Sequence, residues 1–128
     1  MINYKIYNDE HTTLELCGQI TYEGEWSVLG VGRSCLTDEI ENILELSTNN
    51  RVRVKYYISN KPINPYTIEE DFLKTFYGIM EIDTDYLVGT EWTGIYGKED
   101  LFSVDGHNII EELNNHISEY CYIKIEKV

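Results

Sequence analysis

Apolar and polar positions alternate along several short stretches of this chain and switch to helical spacing in others. Ile2-Asn3-Tyr4-Lys5-Ile6-Tyr7 alternates like a strand, Asn8 to His11 is rich in turn formers, and Thr12 to Cys17 reads as the returning arm of a hairpin. Gln19 to Val31 predicts one further strand, interrupted near Gly24. Leu36, Ile40, Ile43 and Leu44 then recur at helical spacing and predict a helix near 38–47. Thr37 can cap it, Asp38 and Glu39 suit its positive end, and Asn49-Asn50 closes it in a turn. Arg51 to Ser59 is the clearest strand, with Val52, Val54, Tyr56 and Ile58 on one face.

Pro62 and Pro65 mark a loop too short to separate two domains. Thr67-Ile68-Glu69-Glu70 has the form of a capping box, and Ile68, Phe72 and Phe76, widened by Leu73 and Tyr77, predict a helix near 68–77 that Gly78 stops. Ile79 to Val88 alternates again, with Glu91 to Tyr96 as its hairpin partner across Gly89-Thr90. Asp105 opens a third helix near 106–117, burying Ile109, Ile110, Leu113 and Ile117, and Tyr120 to Glu126 closes the chain as a strand. The expected fold is therefore α+β: one domain over 1–128, a mixed, mostly antiparallel sheet of about five to seven strands, and about three helices packed mainly on one face. Gly24-Glu25-Trp26-Ser27 echoes Thr90-Glu91-Trp92-Thr93, but two matched dipeptides do not establish a repeat, and chance is the simpler reading.

Composition sharpens this picture. At 128 residues and 42% hydrophobic, with 11 Tyr, the chain is large and apolar enough for a packed core. Ten Lys/Arg against 23 Asp/Glu give a net charge of −13. That balance argues against direct contact with nucleic acid or anionic lipid, both of which need clustered cations. No uncharged run exceeds seven residues, far short of the roughly 20 needed to span a bilayer. The first residues show no basic stretch followed by a long apolar segment, so the expected location is cytoplasmic. Three widely spaced cysteines, Cys17, Cys35 and Cys121, suit reduced thiols better than a disulfide framework.

Candidate chemistry is thin. Gly30-Val31-Gly32-Arg33-Ser34-Cys35 sits where phosphate-binding loops sit, but it lacks the third glycine of a dinucleotide fingerprint and is followed by Asp38 and Glu39. Cys35 precedes a helix start, yet none of the three histidines, His11, His107 and His116, stands in a recognisable nucleophile–base spacing to it. No metal-ligand spacing is present, and His107 reads as a helix-start residue. The expectation is a chain that is not an enzyme and needs no cofactor or metal.

Charge is unevenly placed. Residues 1–50 balance to −7, residues 51–66 to +4, and residues 67–128 to −10. Within Ile79 to Val88, Glu81, Asp83 and Asp85 alternate with Ile82, Thr84 and Tyr86, which sets three carboxylates on one strand face about 6.6–6.8 Å apart, like a short row of phosphates. Glu41 and Glu45, four apart on the first helix, add like charge with no basic residue in that helix to offset it. The simpler alternative is a solvated face, or cross-strand pairing of the ladder with Arg51, Arg53 and Lys55, in a parallel arrangement if the strands share a sheet. The favoured function is an acidic binding protein that mimics nucleic acid and inhibits a basic nucleic-acid-binding protein or nuclease, as phage or mobile-element anti-restriction and anti-CRISPR proteins do. Its partner-binding residues would be Glu81, Asp83, Asp85, Glu41 and Glu45, with Trp92 and Tyr96 as aromatic anchors. The rival readings are a module that sequesters a small anionic ligand near Arg51, Arg53, Lys55 and Lys61, a self-associating subunit, and, third, a hydrolase.

Overall fold

Strands β1 (Tyr4–Tyr7) and β2 (Thr13–Glu23) pair antiparallel, Tyr4 opposite Cys17 and Tyr7 opposite Leu14. Asn8 shapes their turn: its side-chain oxygen accepts the N–H groups of Thr12 and Thr13 at 2.8 and 3.0 Å. In this computed structural model, residues 3–23, 28–69, 73–90 and 95–128 are described, with backbone alone at residues 23, 28, 84–90 and 95–99. The chain continues through β3 (Val28–Val31), β4 (Ser34–Cys35), α1 (Leu36–Ile43), β5 (Arg51–Ser59) and β6 (Lys74–Thr90). β7 (Ile95–Val104), β8 (His107–Asn108), α2 (Ile109–Asn114) and β9 (Tyr120–Lys127) complete it. Among the described residues, nine strands form one antiparallel sheet in the order β4-β3-β2-β9-β5-β6-β7-β8, with β1 added beside β2. The fold is α+β, and the described residues hold more strands and fewer helices than the sequence pattern predicts.

The helix predicted near 68–77 is the main correction. Residues 70–72 lie outside the described ones, but Lys74 onward is strand, paired with β5 from Arg51 opposite Ile79 to Tyr56 opposite Lys74. Phe76, Gly78, Met80 and Ile82 fit a period of two as well as Phe72, Phe76 and Tyr77 fit a helix, and the β5 partner decides between them. Thr67 caps no helix: its N–H and hydroxyl both donate to the Asn64 carbonyl, at 3.2 and 3.4 Å, in a turn. The two observed helices are also shorter than expected. α1 follows directly on Cys35, with Thr37 buried inside it, and α2 starts at Asn108, whose side-chain oxygen accepts the Glu111 N–H at 3.0 Å. Asp105-Gly106 is the turn between β7 and β8 instead of a helix start.

The sheet order reads the same from either end once β2, β3, β4 and β5 are matched to β6, β7, β8 and β9. The match extends to single hydrogen bonds. Gly32 N–H donates to Gln19 O at 3.1 Å and Asp105 N–H to Ile79 O at 3.0 Å; Ile20 N–H donates to Glu119 O at 2.8 Å and Met80 N–H to Asn50 O at 2.9 Å. Backbone signs agree as well: Gly18 and Gly78 have φ of 151° and 153°, Arg33 and Gly106 of 70° and 79°, Asn49 and Ser118 of 79° and 75°. A β carbon on Gly18 would fall 2.4 Å from the Gly32 Cα, and one on Gly78 3.0 Å from the Asp105 Cβ, so the same close crossing recurs in both halves. The chain is thus built as two strand–hairpin–helix–strand units that exchange their last strands about a pseudo-twofold axis. A repeat is present in the topology; the echoing segments 24–27 and 90–93 fall where β2 gives way to β3 and β6 to β7, and all of their residues but Thr90, the last of β6, lie outside the described ones.

Both helices pack on one face of the sheet. Leu14, Leu16, Ile20, Val52, Val54, Tyr56, Met80, Ile82, Ile123 and Ile125 point inward to Leu36, Ile40, Ile109 and Leu113 in one cluster. Complete burial of each Leu or Ile contributes about 1.5–3 kcal/mol. The sheet curls enough that the buried Asp100 of β7 accepts the Leu29 N–H of β3 at 2.9 Å. Among the described residues, no helix is long and apolar enough to cross a membrane.

Candidate functional site

Strand β6 sorts the acidic residues onto two faces. Ile82 is buried toward the helices, beside Glu41, Glu45, Leu46, Ser47 and Thr48, which line an open hollow of about 650 Å³. Thr48 fastens this segment to β6: its hydroxyl donates to Ile82 O at 3.2 Å and receives the Ile82 N–H at 3.1 Å. Alternation therefore turns Glu81 and Asp83 to the opposite, outer face, where both are exposed. The structure brings Glu41 and Glu45 together but separates them from Glu81 and Asp83. Glu45 is not on α1, which ends at Ile43; it follows the helix with φ of 55°, so the i,i+4 repulsion inferred from the sequence does not arise in helical form. Asp85 and Tyr96 lie in β6 and β7 with their side chains outside the described set, and Trp92 lies outside the described residues.

On the outer face, Tyr77 and Ile79 precede Glu81 and Asp83 in the same alternating row and are each 49% exposed. The basic strand β5 runs antiparallel to β6, which follows it with no helix among the described residues between them, and the parallel arrangement predicted from an intervening helix is corrected. Their pairing ends at Arg51 opposite Ile79, short of the ladder. Arg53 lies 3.3 Å from Glu126 of β9 and over the Tyr77 ring at 5.8 Å; Lys124 reaches Glu126 at 3.1 Å. Burial works to raise the Glu126 carboxyl, but the hydrogen bond and charge of Lys124, with the charges of Lys55 and Arg53, outweigh it and hold it below its usual value. Glu81 has no ion pair among the described residues.

A second polar cluster is invisible in the sequence because its members come from β5, β6, β8 and α2. Glu112 Oε2 accepts from the Tyr56 hydroxyl and lies 2.7 Å from His107 Nε2, while Lys74 Nζ reaches Oε1 at 2.5 Å. His107 stacks on Phe76 with centroids 4.1 Å apart, and its Nε2 is 3.0 Å from the Tyr56 hydroxyl. Burial alone would raise the Glu112 carboxyl; the hydrogen bonds from Lys74, Tyr56 and His107 and the Lys74 charge reverse that and bring it to about 2. Burial, and then Glu112, push the Tyr56 phenol up. A carboxylate saturated with donors and this acidic is a clamp between elements, far from the near-neutral base that proton transfer requires.

The remaining sequence candidates fall into structural roles. Gly32-Arg33 forms the tight turn between β3 and β4, with Gly32 N–H donating to Gln19 O. Cys35 stands at the α1 start, but burial raises its thiol pKa against the lowering hydrogen bonds from the Asp38 backbone and Thr37, so the helix end does not activate it. Burial pushes Cys17 up to about 11 and Cys121 up as well. His116 pairs with Glu119 beside a hollow of about 360 Å³ that Tyr56, Ser59 and Lys74 also line. Comparison of the chain with protein-family models, curated proteins and solved structures finds no match.

Proposed function

We propose that this chain is a non-enzymatic acidic binding protein, acting in the cytoplasm, that presents phosphate-like carboxylates to a basic nucleic-acid-binding protein or nuclease, in the manner of anti-restriction and anti-CRISPR proteins of phages and mobile elements. The observation that supports this reading is the outer row of β6: Glu81 and Asp83 stand exposed at strand spacing, beyond the end of the β5 pairing. Tyr77 and Ile79 in the same row supply apolar surface that charge alone lacks, the role that the sequence pattern gives to Trp92 and Tyr96. Charge on such a face speeds encounter more than it strengthens the final complex. The test is retention by the immobilised chain at low salt from a lysate of its source cells, with duplex DNA as competitor. The reading expects basic nucleic-acid-binding proteins to be held and then displaced by DNA. Retained proteins that are neutral or acidic, or that DNA leaves in place, would overturn it.

A further inference from the structure

Among the described residues, the pseudo-twofold leaves one place unfilled. In the first unit, residues 14–17 of β2 are flanked by β9 on one side and by β1 on the other. Their equivalents, residues 74–77 of β6, have β5 on one side, and β7 starts to pair only at Met80. Among the described residues, no strand lies beside Lys74–Tyr77 where β1 lies beside β2. The orientation of the free groups follows from the bonds at either end. Met80 N–H is directed toward Asn50 on the β5 side, whereas Ile79 O accepts Asp105 N–H on the other. Alternation then turns the N–H and C=O groups of Thr75 and Tyr77 toward the vacant side. Side chains register the missing cover: Leu14, Leu16 and Cys17 are fully buried, while Lys74, Thr75 and Tyr77 are exposed and Phe76 is half-buried.

We infer that the β6 edge at Lys74–Tyr77 takes an extended, basic segment of the partner, which adds to the sheet as a further strand in the position β1 holds on β2. This rests on the acidic-binding reading above and names the element through which the partner engages. Strand β1 shows what fills such an edge: an extended run in which Lys5 reaches Glu39 of α1 at 3.3 Å. Glu112 is the equivalent of Glu39, and Asp105 stands beside Gly78 where the first unit has Gly32. Glu112 is already held by Lys74, so the carboxylates left on the open side are Asp105 and the exposed Glu81, two residues beyond Ile79, while Lys55, Arg53 and Arg51 stand opposite Thr75, Tyr77 and Ile79 on the β5 side. A second copy of the chain would bring a further −13 to that edge, whereas a cationic segment is attracted to it. Backbone pairing supplies the affinity and alternate side chains the selectivity, as in other strand additions.

The test uses the full chain with a peptide of its own residues 3–8 as probe, and reads amide hydrogen exchange residue by residue. In the free chain the amides of Thr75 and Tyr77 should exchange about a hundredfold faster than that of Phe76, which is bonded to β5. Saturating peptide should slow both by at least about tenfold, and a peptide with Lys5→Glu should bind several-fold more weakly. Thr75→Pro removes an N–H that faces away from β5 and should weaken the peptide about tenfold while the sheet persists. If that variant unfolds, exchange in the unaltered chain decides alone. Protection of Thr75 and Tyr77 without peptide, no added protection with it, or changes confined to β2 would overturn the inference. So would a concentration-dependent dimer that Thr75→Pro abolishes. A natural partner retained equally by Thr75→Pro but lost by Glu81→Gln/Asp83→Asn removes the edge inference and leaves the acidic-face reading standing.

Discussion

Replacing Glu112 with Gln removes a charge that three elements hold in place, and the size of the effect can be worked from the geometry. The carboxyl is brought from its ordinary 4.5 to about 2 by Lys74, Tyr56 and His107. A fall of that size corresponds to roughly 3 kcal/mol of folding free energy. Lys74 is 61% exposed and its share is screened, so about 2 kcal/mol is the expected cost of Glu112→Gln at pH 7. The sign follows from the direction of the shift. Because the folded carboxyl is the more acidic, its stabilisation is complete above about pH 4.5 and is lost as pH falls through that value toward 2. By pH 3 roughly half or more should be gone. Urea unfolding of both proteins at pH 7, 4.5 and 3 gives the difference, in which the titration of the other carboxylates largely cancels. The gap should narrow steadily with acidity. A gap that stays constant from pH 7 to pH 3 would refute the clamp.

Other perturbations probe separate parts of the account. Gly18→Ala should cost about 2–4 kcal/mol in chemical unfolding and Gly78→Ala about 1–2, because the first meets backbone and the second a side chain; equal costs would contradict the geometry. Ellman's reagent at pH 8 should react slowly with the native thiols, since a Cys17 pKa of about 11 leaves only about one molecule in a thousand as thiolate, and rapidly with all three after denaturation; rapid native reaction would contradict the burial assigned to them. Glu81→Gln/Asp83→Asn should leave stability within about 0.5 kcal/mol per site, as exposed positions do, and a larger loss by thermal melting would mean that the ladder serves the fold.

Much of the architecture is legible wherever one local pattern has only one reading. Val52, Val54 and Tyr56 alternate with Arg51, Arg53 and Lys55, and Asn8 to His11 closes a hairpin whose register then follows. Residues 73–77 are different: Phe76 and Tyr77 satisfy a helix stripe and a strand alike, and the choice rests on β5, some twenty residues earlier. The pseudo-twofold leaves little trace because equivalent positions differ in chemistry. Leu14 answers to Lys74, Leu16 to Phe76 and Ser34 to His107, while the recurring feature is backbone sign at Gly18 and Gly78. The acidic ladder at Glu81 and Asp83 was readable from alternation alone. Its separation from Glu41 and Glu45 was not, since only the packing of α1 on the Ile82 face decides it. For the Tyr56, His107 and Glu112 cluster, the only local signal was a histidine between a turn and a helix.

The association rate with the retained partner, measured by stopped flow across a salt series for the unaltered chain and for Glu81→Gln/Asp83→Asn, tests the acidic-face account most directly. Steering by these carboxylates predicts a rate that falls steeply with salt in the unaltered chain, and a slower, flatter dependence in the double variant, with dissociation changed far less. Superimposable salt profiles for the two proteins would contradict it.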